Sequence, residues 1–159
     1  MSSNKIISAD LILPRLEAQT WQEVIQALGD KLEDCGYVKA SYVPAVMERE
    51  RVFPTGLPLG DINVAIPHTD VEHVNQPAIA VATLARPVVF GNMGEQGGLL
   101  EARIVFLLAM KEPHAQLDLL QNLVETFQNP QVLEHMLGTA SPEEIESILQ
   151  HHLLVKEAV

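Results

Sequence analysis

The sequence predicts an α/β fold, a three-layer sandwich in which helices cover both faces of a mixed sheet of about five strands. Three observations support this prediction. Apolar stripes with helical spacing flank several apolar runs of strand length. Two helices precede the main strands instead of alternating with them, which favours a mixed sheet over an all-parallel one. The 159 residues, 47% of them apolar, suffice for a proper core, so we expect a single domain over residues 1–159.

The N-terminal third is predicted to form an edge strand and two helices. Residues 9–14 make the strand, which Pro14 closes because proline has no N–H for a ladder. Thr20 is a good N-cap residue and Glu23 completes a capping box, so the first helix begins there. The second helix covers residues 41–51.

The middle of the chain supplies the first strands of the main sheet. After a loop over residues 53–60, which holds two prolines and two glycines, residues 62–66 form a short apolar run. Pro67 stops that strand. Residues 78–85 form the next strand and residues 88–90 a further one, with a turn at the Arg-Pro pair between them.

The C-terminal half is predicted to hold the central strand and three helices. Residues 92–98 are glycine-rich but lack the pattern of a nucleotide-binding P-loop, so we interpret them as a turn. Residues 103–110 are a continuous apolar run, typical of a strand covered on both faces. Helices follow over residues 114–128 and 130–138, and a last helix starts at Ser141, which opens a capping box.

Composition argues against several function classes. The formal net charge of −11 disfavours a basic patch, so we expect no nucleic-acid partner. Cys35 is the only cysteine, which rules out an internal disulfide or a thiolate metal site, and we predict that it belongs to the core. The first eight residues lack the apolar stretch of a signal peptide, and no apolar run reaches the roughly 18 residues of a membrane span. We therefore expect a cytoplasmic protein.

His68 stands at the end of the strand over residues 62–66, directly after Pro67. Residues at such strand ends often bind or react, and an imidazole can act there as a base, a ligand or a nucleophile. A histidine that merely satisfies its hydrogen bonds is an equal alternative on the residues alone. His73, five positions on, gives a spacing that matches no standard zinc motif. Three further histidines are predicted to be solvated surface residues: His135, His151 and His152.

Three short motifs surround His68 in the sequence. They are Met47-Glu48-Arg49-Glu50, Phe53-Pro54-Thr55-Gly56 and Ala65-Ile66-Pro67-His68. Together with the strand-to-helix segment over residues 105–123, they resemble the enzyme IIA component of the bacterial phosphoenolpyruvate-dependent sugar phosphotransferase system. The resemblance covers most of the chain, and it is to the fructose–mannitol type and, within that type, to the galactitol-like branch.

The resemblance implies a phosphoryl carrier for sugar uptake, with galactitol as a candidate sugar and with no cofactor or metal. His68 would accept a phosphoryl group on Nε2 from phospho-HPr and pass it to a cysteine of a IIB component on another chain. That component in turn serves the membrane component IIC. The family's arginine falls on Arg49, whose planar guanidinium would stabilise the phosphoryl group. The position of a second family histidine falls on Gln116, whose amide would donate a hydrogen bond, and His114 lies two residues away.

Two acidic residues of the same motifs carry separate expectations. Asp70 would repel a phosphate, so we expect it to point away from the site or to bond His73. Glu50 is expected to orient Arg49 or to face solvent rather than to act as a base.

Two other functions stay open at this point. A regulatory IIA-like protein would signal through its phosphorylation state and feed no transporter, and the neighbouring genes would distinguish it from a transport component. A metal-dependent enzyme could instead use His68 and His73, which a metal analysis of the purified protein would test.

Overall fold

The computed structural model describes residues 6–112 and 117–158. Within these ranges one sheet is formed by β1 (Ile12–Leu16), β2 (Gly56–Leu57), β3 (Asn63–Ala65), β4 (Ala78–Gly91) and β5 (Leu99–Ala109). The strand order is β1-β4-β5-β3-β2. The β1/β4 and β3/β5 pairs are parallel, whereas the β4/β5 and β2/β3 pairs are antiparallel. The predicted mixed sheet of about five strands is confirmed.

Helices cover both faces of this sheet. In the described residues they are α1 (Trp21–Asp34), α2 (Tyr42–Val52), α3 (Leu117–Phe127), α4 (Pro130–Leu137) and α5 (Pro142–Ala158). One apolar cluster joins the sheet to α1 and α2, and a second joins its other face to α3, α4 and α5. The predicted three-layer α/β sandwich is therefore confirmed.

The alternation of side chains along β5 divides the two clusters. Val105 and Leu107 belong to the cluster with α1 and α2, whereas Ile104 and Phe106 belong to the cluster with the other helices. All four side chains are fully buried. A strand buried on both faces has a continuous apolar sequence, so the prediction of a central strand here is confirmed.

The N-cap halves of the predicted capping boxes form at two helix starts, but neither glutamate bonds the N–H of its N-cap residue in the described contacts. Thr20 Oγ1 accepts the N–H of Glu23 at 3.2 Å, and Glu23 Oε1 accepts the N–H of Gln19 at 2.8 Å. Ser141 Oγ accepts the N–H of Glu144 at 3.1 Å. These bonds pair N–H groups that a helix start leaves without intrahelical partners, which explains why α1 and α5 begin at these positions.

Three strand predictions need correction. The edge position of β1 is confirmed, but residues 9–11 form a 3-10 helix and the strand continues past Pro14, where its pairing with β4 shifts in register. β2 lies inside the segment that we predicted to be only loop. β4 is one strand of 14 residues instead of two strands with a turn, since a register shift between Thr83 and Val88 accommodates the Arg-Pro pair.

The carboxyl ends of β3 and β5 position the part of the candidate site that holds His68. Because β3 and β5 are parallel, these ends meet at the same edge of the sheet. The Tyr42 hydroxyl of α2 donates to the Leu108 carbonyl at 2.6 Å, and the Leu108 N–H donates to the Pro67 carbonyl at 3.0 Å. The segment after β3 and the helix α2 are thereby both bonded to the end of β5.

In the described residues, every helix is too short or too polar to cross a bilayer.

Candidate functional site

His68 lies just beyond β3, and its ring orientation is fixed by the backbone. Its Nδ1 atom is 2.9 Å from the Ile66 carbonyl oxygen. A carbonyl only accepts hydrogen bonds, so Nδ1 carries the proton and Nε2 keeps its lone pair. Pro67 between the two residues has a fixed φ and is buried, which stiffens this short segment.

The surroundings of His68 favour the neutral imidazole. Partial burial lowers the pKa of His68 below its ordinary value, and the positive charge of Arg49 lowers it further. The hydrogen bond to the Ile66 carbonyl and the negative charge of Asp70 oppose this shift without cancelling it. The ring therefore presents an unprotonated Nε2 at neutral pH, which is the form that acts as a nucleophile.

Arg49 lies in the last turn of α2 and brings positive charge to the same place. Its guanidinium carbon is 5.6 Å from the centre of the Phe53 ring, and its Nη1 is 3.8 Å from Asp70 Oδ1. Its buried Nε has no hydrogen-bond partner among the residues that the structure describes. The side chain as a whole is 39% exposed, and a guanidinium is a strong donor to acceptors such as phosphoryl oxygens.

The expectations for the two acidic residues are wrong. Asp70 faces Arg49 instead of pointing away or bonding His73, although 74% of its side chain stays exposed. Glu50 is only 4% exposed and neither faces solvent nor bonds Arg49 in the described contacts. Its Oε2 accepts the Thr55 N–H and its Oε1 accepts the Thr55 hydroxyl, both at 2.9 Å. Burial raises the pKa of Glu50 to about 7, although both hydrogen bonds lower it.

An open cleft of about 1040 Å³ brings His68 and Arg49 together. Its opposite wall is the turn between β4 and β5, which we predicted to be a turn and to which we gave no site role. Gly91 lets that wall approach the loop after α2, because a Cβ at Gly91 would lie 2.5 Å from Pro54 Cβ. Four exposed apolar side chains line the cleft: Val52, Phe53, Met93 and Leu99.

The other predicted site residues are placed as follows. The Nδ1 of His73 is 2.8 Å from Ser41 Oγ, and its Nε2 is 3.5 Å from Glu72 Oε2. Gln116 and His114 lie outside the described residues. No three His, Cys, Asp or Glu side chains in residues 6–112 and 117–158 are grouped so that they could hold a metal ion.

Two predictions made away from the cleft have different outcomes. His135 is 62% exposed, as predicted, and its Nε2 lies 3.3 Å from Glu144 Oε2. The prediction that Cys35 belongs to the core is wrong, because it is exposed at the C-terminal cap of α1. The apolar face of α1 turns toward the sheet at other positions, and Cys35 follows the last residue of the helix.

The arrangement is suited to holding a phosphoryl group. A neutral imidazole presents one free nitrogen, a guanidinium lies beside it, and the cleft is open enough for another molecule to reach both. These are the requirements for nucleophilic attack on phosphorus with stabilisation of its oxygens.

A sequence model of one protein family matches residues 5–152, and its description is "Phosphoenolpyruvate-dependent sugar phosphotransferase system, EIIA 2". The mannitol-specific phosphotransferase enzyme IIA component of Halalkalibacterium halodurans is 32% identical over 147 residues, covering 92% of this chain and 96% of that protein. The galactitol-specific EIIA component of Escherichia coli K12 is 28% identical over 115 residues, covering 72% of this chain and 76% of that protein.

Longer proteins also contain a similar segment. The probable licABCH operon regulator of Bacillus subtilis is 26% identical over 96% of this chain. The transcriptional regulator ManR of the same organism is 33% identical over 64% of this chain. The chain spans only 22% and 14% of their lengths. Among solved structures, IIA mannitol of Escherichia coli in complex with phosphorylated IIB mannitol has a TM-score of 0.73 at 27% identity, covering 91% of this chain and 97% of that one.

Proposed function

The chain belongs to the EIIA 2 family of the phosphoenolpyruvate-dependent sugar phosphotransferase system, and we propose that it carries a phosphoryl group on His68 between a phospho-HPr donor and a IIB acceptor. The observation that best supports His68 is its hydrogen bond to the Ile66 carbonyl, which leaves Nε2 free. We further propose that residues 1–159 act as one carrier domain in the cytoplasm.

The proposed transfer is a direct displacement at phosphorus. The Nε2 lone pair of His68 forms the new N–P bond while the bond between phosphorus and the donor's nitrogen breaks in line with it. Arg49, which lines the same cleft, donates hydrogen bonds from its guanidinium to the phosphoryl oxygens. In the second step a cysteine thiolate of IIB attacks the same phosphorus, and Nε2 leaves with its lone pair restored.

Gln116 keeps its proposed role as an amide donor to the phosphoryl group. It follows β5 in the sequence, and the end of β5 lies at the sheet edge that holds His68. This assignment depends on the family resemblance. The labelling assay described below, applied to a Gln116→Ala variant, would test this role in the phosphorylation of His68.

Donor and acceptor are proposed to dock over the exposed apolar side chains that line the cleft. Val52, Phe53, Met93 and Leu99 are between 47% and 72% exposed. Apolar patches of this kind suit transient protein contacts. The complex between the Escherichia coli IIA and IIB mannitol proteins supports a IIB partner, and the membrane component IIC would be reached through IIB.

The sugar is proposed to be a hexitol. The named relatives include mannitol-specific and galactitol-specific components, both of which act on sugar alcohols. Galactitol remains our candidate on the galactitol-like motifs, including the glutamine at position 116.

A labelling experiment tests the carrier function. The protein is incubated with phosphoenolpyruvate, enzyme I and HPr, and the acid-labile phosphate is located by mass spectrometry. We expect stoichiometric phosphate on His68 and none on the His68→Ala variant. His135→Ala is the matched control, because that histidine is exposed and does not line the cleft. Wild-type protein that takes no phosphate, or a labelled His68→Ala variant, would refute the proposal.

A regulatory role is the second candidate, and the similarity to transcriptional regulators supports it. Most of this chain matches a segment inside a licABCH operon regulator of Bacillus subtilis. His68 would then be phosphorylated as a signal instead of as a transport step. Neighbouring genes for IIB and IIC would favour transport. If His68 takes up phosphate but does not transfer it to any IIB protein, the result would favour regulation.

A further inference from the structure

Thr55 connects a buried carboxyl group to the backbone that holds His68. Its side chain is 3% exposed. Its N–H and its hydroxyl both donate to Glu50, and the same hydroxyl oxygen accepts the N–H of Ile66 at 3.1 Å. Ile66 is the residue whose carbonyl accepts the hydrogen bond from His68 Nδ1. A continuous set of hydrogen-bonded groups thus runs from α2 to the imidazole.

The backbone around the Ile66 carbonyl is held at two points. On one side, the Ile66 N–H bonds the Thr55 hydroxyl, with a longer bond to the Thr55 carbonyl at 3.4 Å. On the other side, the Pro67 carbonyl accepts the Leu108 N–H of β5 at 3.0 Å. The second point belongs to the sheet, whereas the shorter bond at the first point depends on one hydroxyl group.

A glutamate is an energetically unfavourable residue at the buried position 50. A buried carboxyl group is unfavourable unless it is hydrogen bonded, and an apolar side chain would avoid that penalty. Both carboxyl oxygens of Glu50 accept hydrogen bonds from Thr55. Burial nevertheless raises the pKa of Glu50 to about 7. Glu50 connects to His68 through Thr55 and Ile66, so a role in positioning explains its cost better than a role in stability.

We propose that Thr55, braced by Glu50, is a positioning residue that holds the Ile66 carbonyl against His68 and so fixes the tautomer with a free Nε2. Thr55 does not touch the phosphoryl group and acts only through Ile66. The effect on transfer rests on the proposed function of His68, whereas the effect on the tautomer does not.

Two variants of Thr55 separate its hydroxyl from its shape. Thr55→Val keeps the branched shape but leaves Glu50 Oε1 and the Ile66 N–H without the hydroxyl. We expect this variant to accept phosphate from phospho-HPr at least about 10-fold more slowly, since small misplacements of a reacting group are costly. Thr55→Ser keeps the hydroxyl and should stay within about 3-fold of wild type, because the bonded oxygen is retained.

A spectroscopic readout distinguishes positioning from general structural damage. In ¹⁵N spectra of the His68 ring, the protonated and unprotonated nitrogens resonate far apart. We expect wild type and Thr55→Ser to show a proton on Nδ1, and folded Thr55→Val to show a mixture of the two tautomers. The Ile66 amide of the wild type should also be protected from hydrogen exchange, because Thr55 accepts its hydrogen bond.

Each outcome decides between the alternatives. A folded Thr55→Val variant with unchanged tautomer and rate would refute the proposal. If that variant does not fold, a proton on Nε2 or an unprotected Ile66 amide in wild type would refute it instead, and the expected wild-type signals would support it. A tautomer that depends on the hydroxyl, in a protein that never takes phosphate on His68, would support positioning and refute the carrier function.

Discussion

At the scale of single residues, the candidate site combines a free nitrogen lone pair with a positive charge. The bond from His68 Nδ1 to the Ile66 carbonyl leaves the lone pair of Nε2 free. The guanidinium of Arg49 lines the same cleft as His68. A phosphoryl group bound to Nε2 would bring strong acceptor oxygens to a cleft that holds this donor.

Loss of the Arg49 guanidinium should slow phosphoryl transfer. We expect Arg49→Ala to reduce the rate of His68 phosphorylation by about 100-fold, since a preorganised donor to developing charge is worth that much. Arg49→Lys should recover only part of the rate, because an ammonium group lacks the planar fork. Lys31→Ala is the control, since it removes one positive charge from an exposed position outside the cleft. Rapid-quench labelling measures the rates, and an unchanged Arg49→Ala rate would contradict the assigned role.

The two residues that the cleft brings together, His68 and Arg49, were predictable from the sequence, but the contacts that support them were not. His68 follows a proline-stopped strand, and Arg49 lies in a motif that resembles a known family, so both positions could be identified. The hydrogen bonds that Thr55 donates to Glu50 and that Ile66 donates to Thr55 cross a loop and a strand pair. No periodicity marks such contacts, and a glutamate near a helix end is normally solvated.

At the scale of elements, the cleft depends on the close approach of two loops. The turn between β4 and β5 is one wall, and the segment after α2 is the other. Gly91 faces Pro54 where a Cβ would not fit, and Gly56 is similarly close to the Gly91 carbonyl. The two walls can approach this closely only because these two glycines have no side chains.

A methyl group at Gly91 should force the two walls apart. We expect Gly91→Ala to destabilise the protein by about 1–3 kcal/mol, the usual range for overpacking, and to slow transfer because Pro54 and Thr55 must shift. Gly94→Ala is the matched control on the same turn, where the nearest atom would lie 3.5 Å from the new Cβ. Urea denaturation and the labelling assay measure the two effects. Equal stability of the two variants would contradict this view of the cleft.

Element types were easier to predict than element limits. Capping boxes and apolar stripes located α1 and α5, because those signals come from neighbouring residues. β2 has two residues and is defined only by its pairing with β3, so the proline- and glycine-rich sequence predicted a loop. The Arg-Pro pair predicted a turn, yet β4 continues through it because the long pairing with β5 absorbs a register shift.

At the scale of the whole molecule, a buried carboxyl group links stability to pH. Glu50 belongs to the network that joins α2, the following loop and the end of β3. Its pKa of about 7 in the folded protein lies above its ordinary value of 4.5. The folded state therefore keeps a proton that the unfolded state releases, so folding weakens as the pH rises through this window.

Replacing Glu50 by glutamine should remove this dependence. Between about pH 5 and about pH 8 we expect the wild type to lose on the order of 2 kcal/mol of unfolding free energy relative to Glu50→Gln, because the ionised carboxylate is penalised only in the folded state. Urea denaturation at both pH values measures the difference. Glu48→Gln on the same helix is the control, since Glu48 is exposed, paired with Arg51 at 2.6 Å, and has a lowered pKa. A wild type and a Glu50→Gln variant with parallel pH profiles would show that the pKa of Glu50 is not raised by folding, and the buried network would then hold a carboxylate at neutral pH.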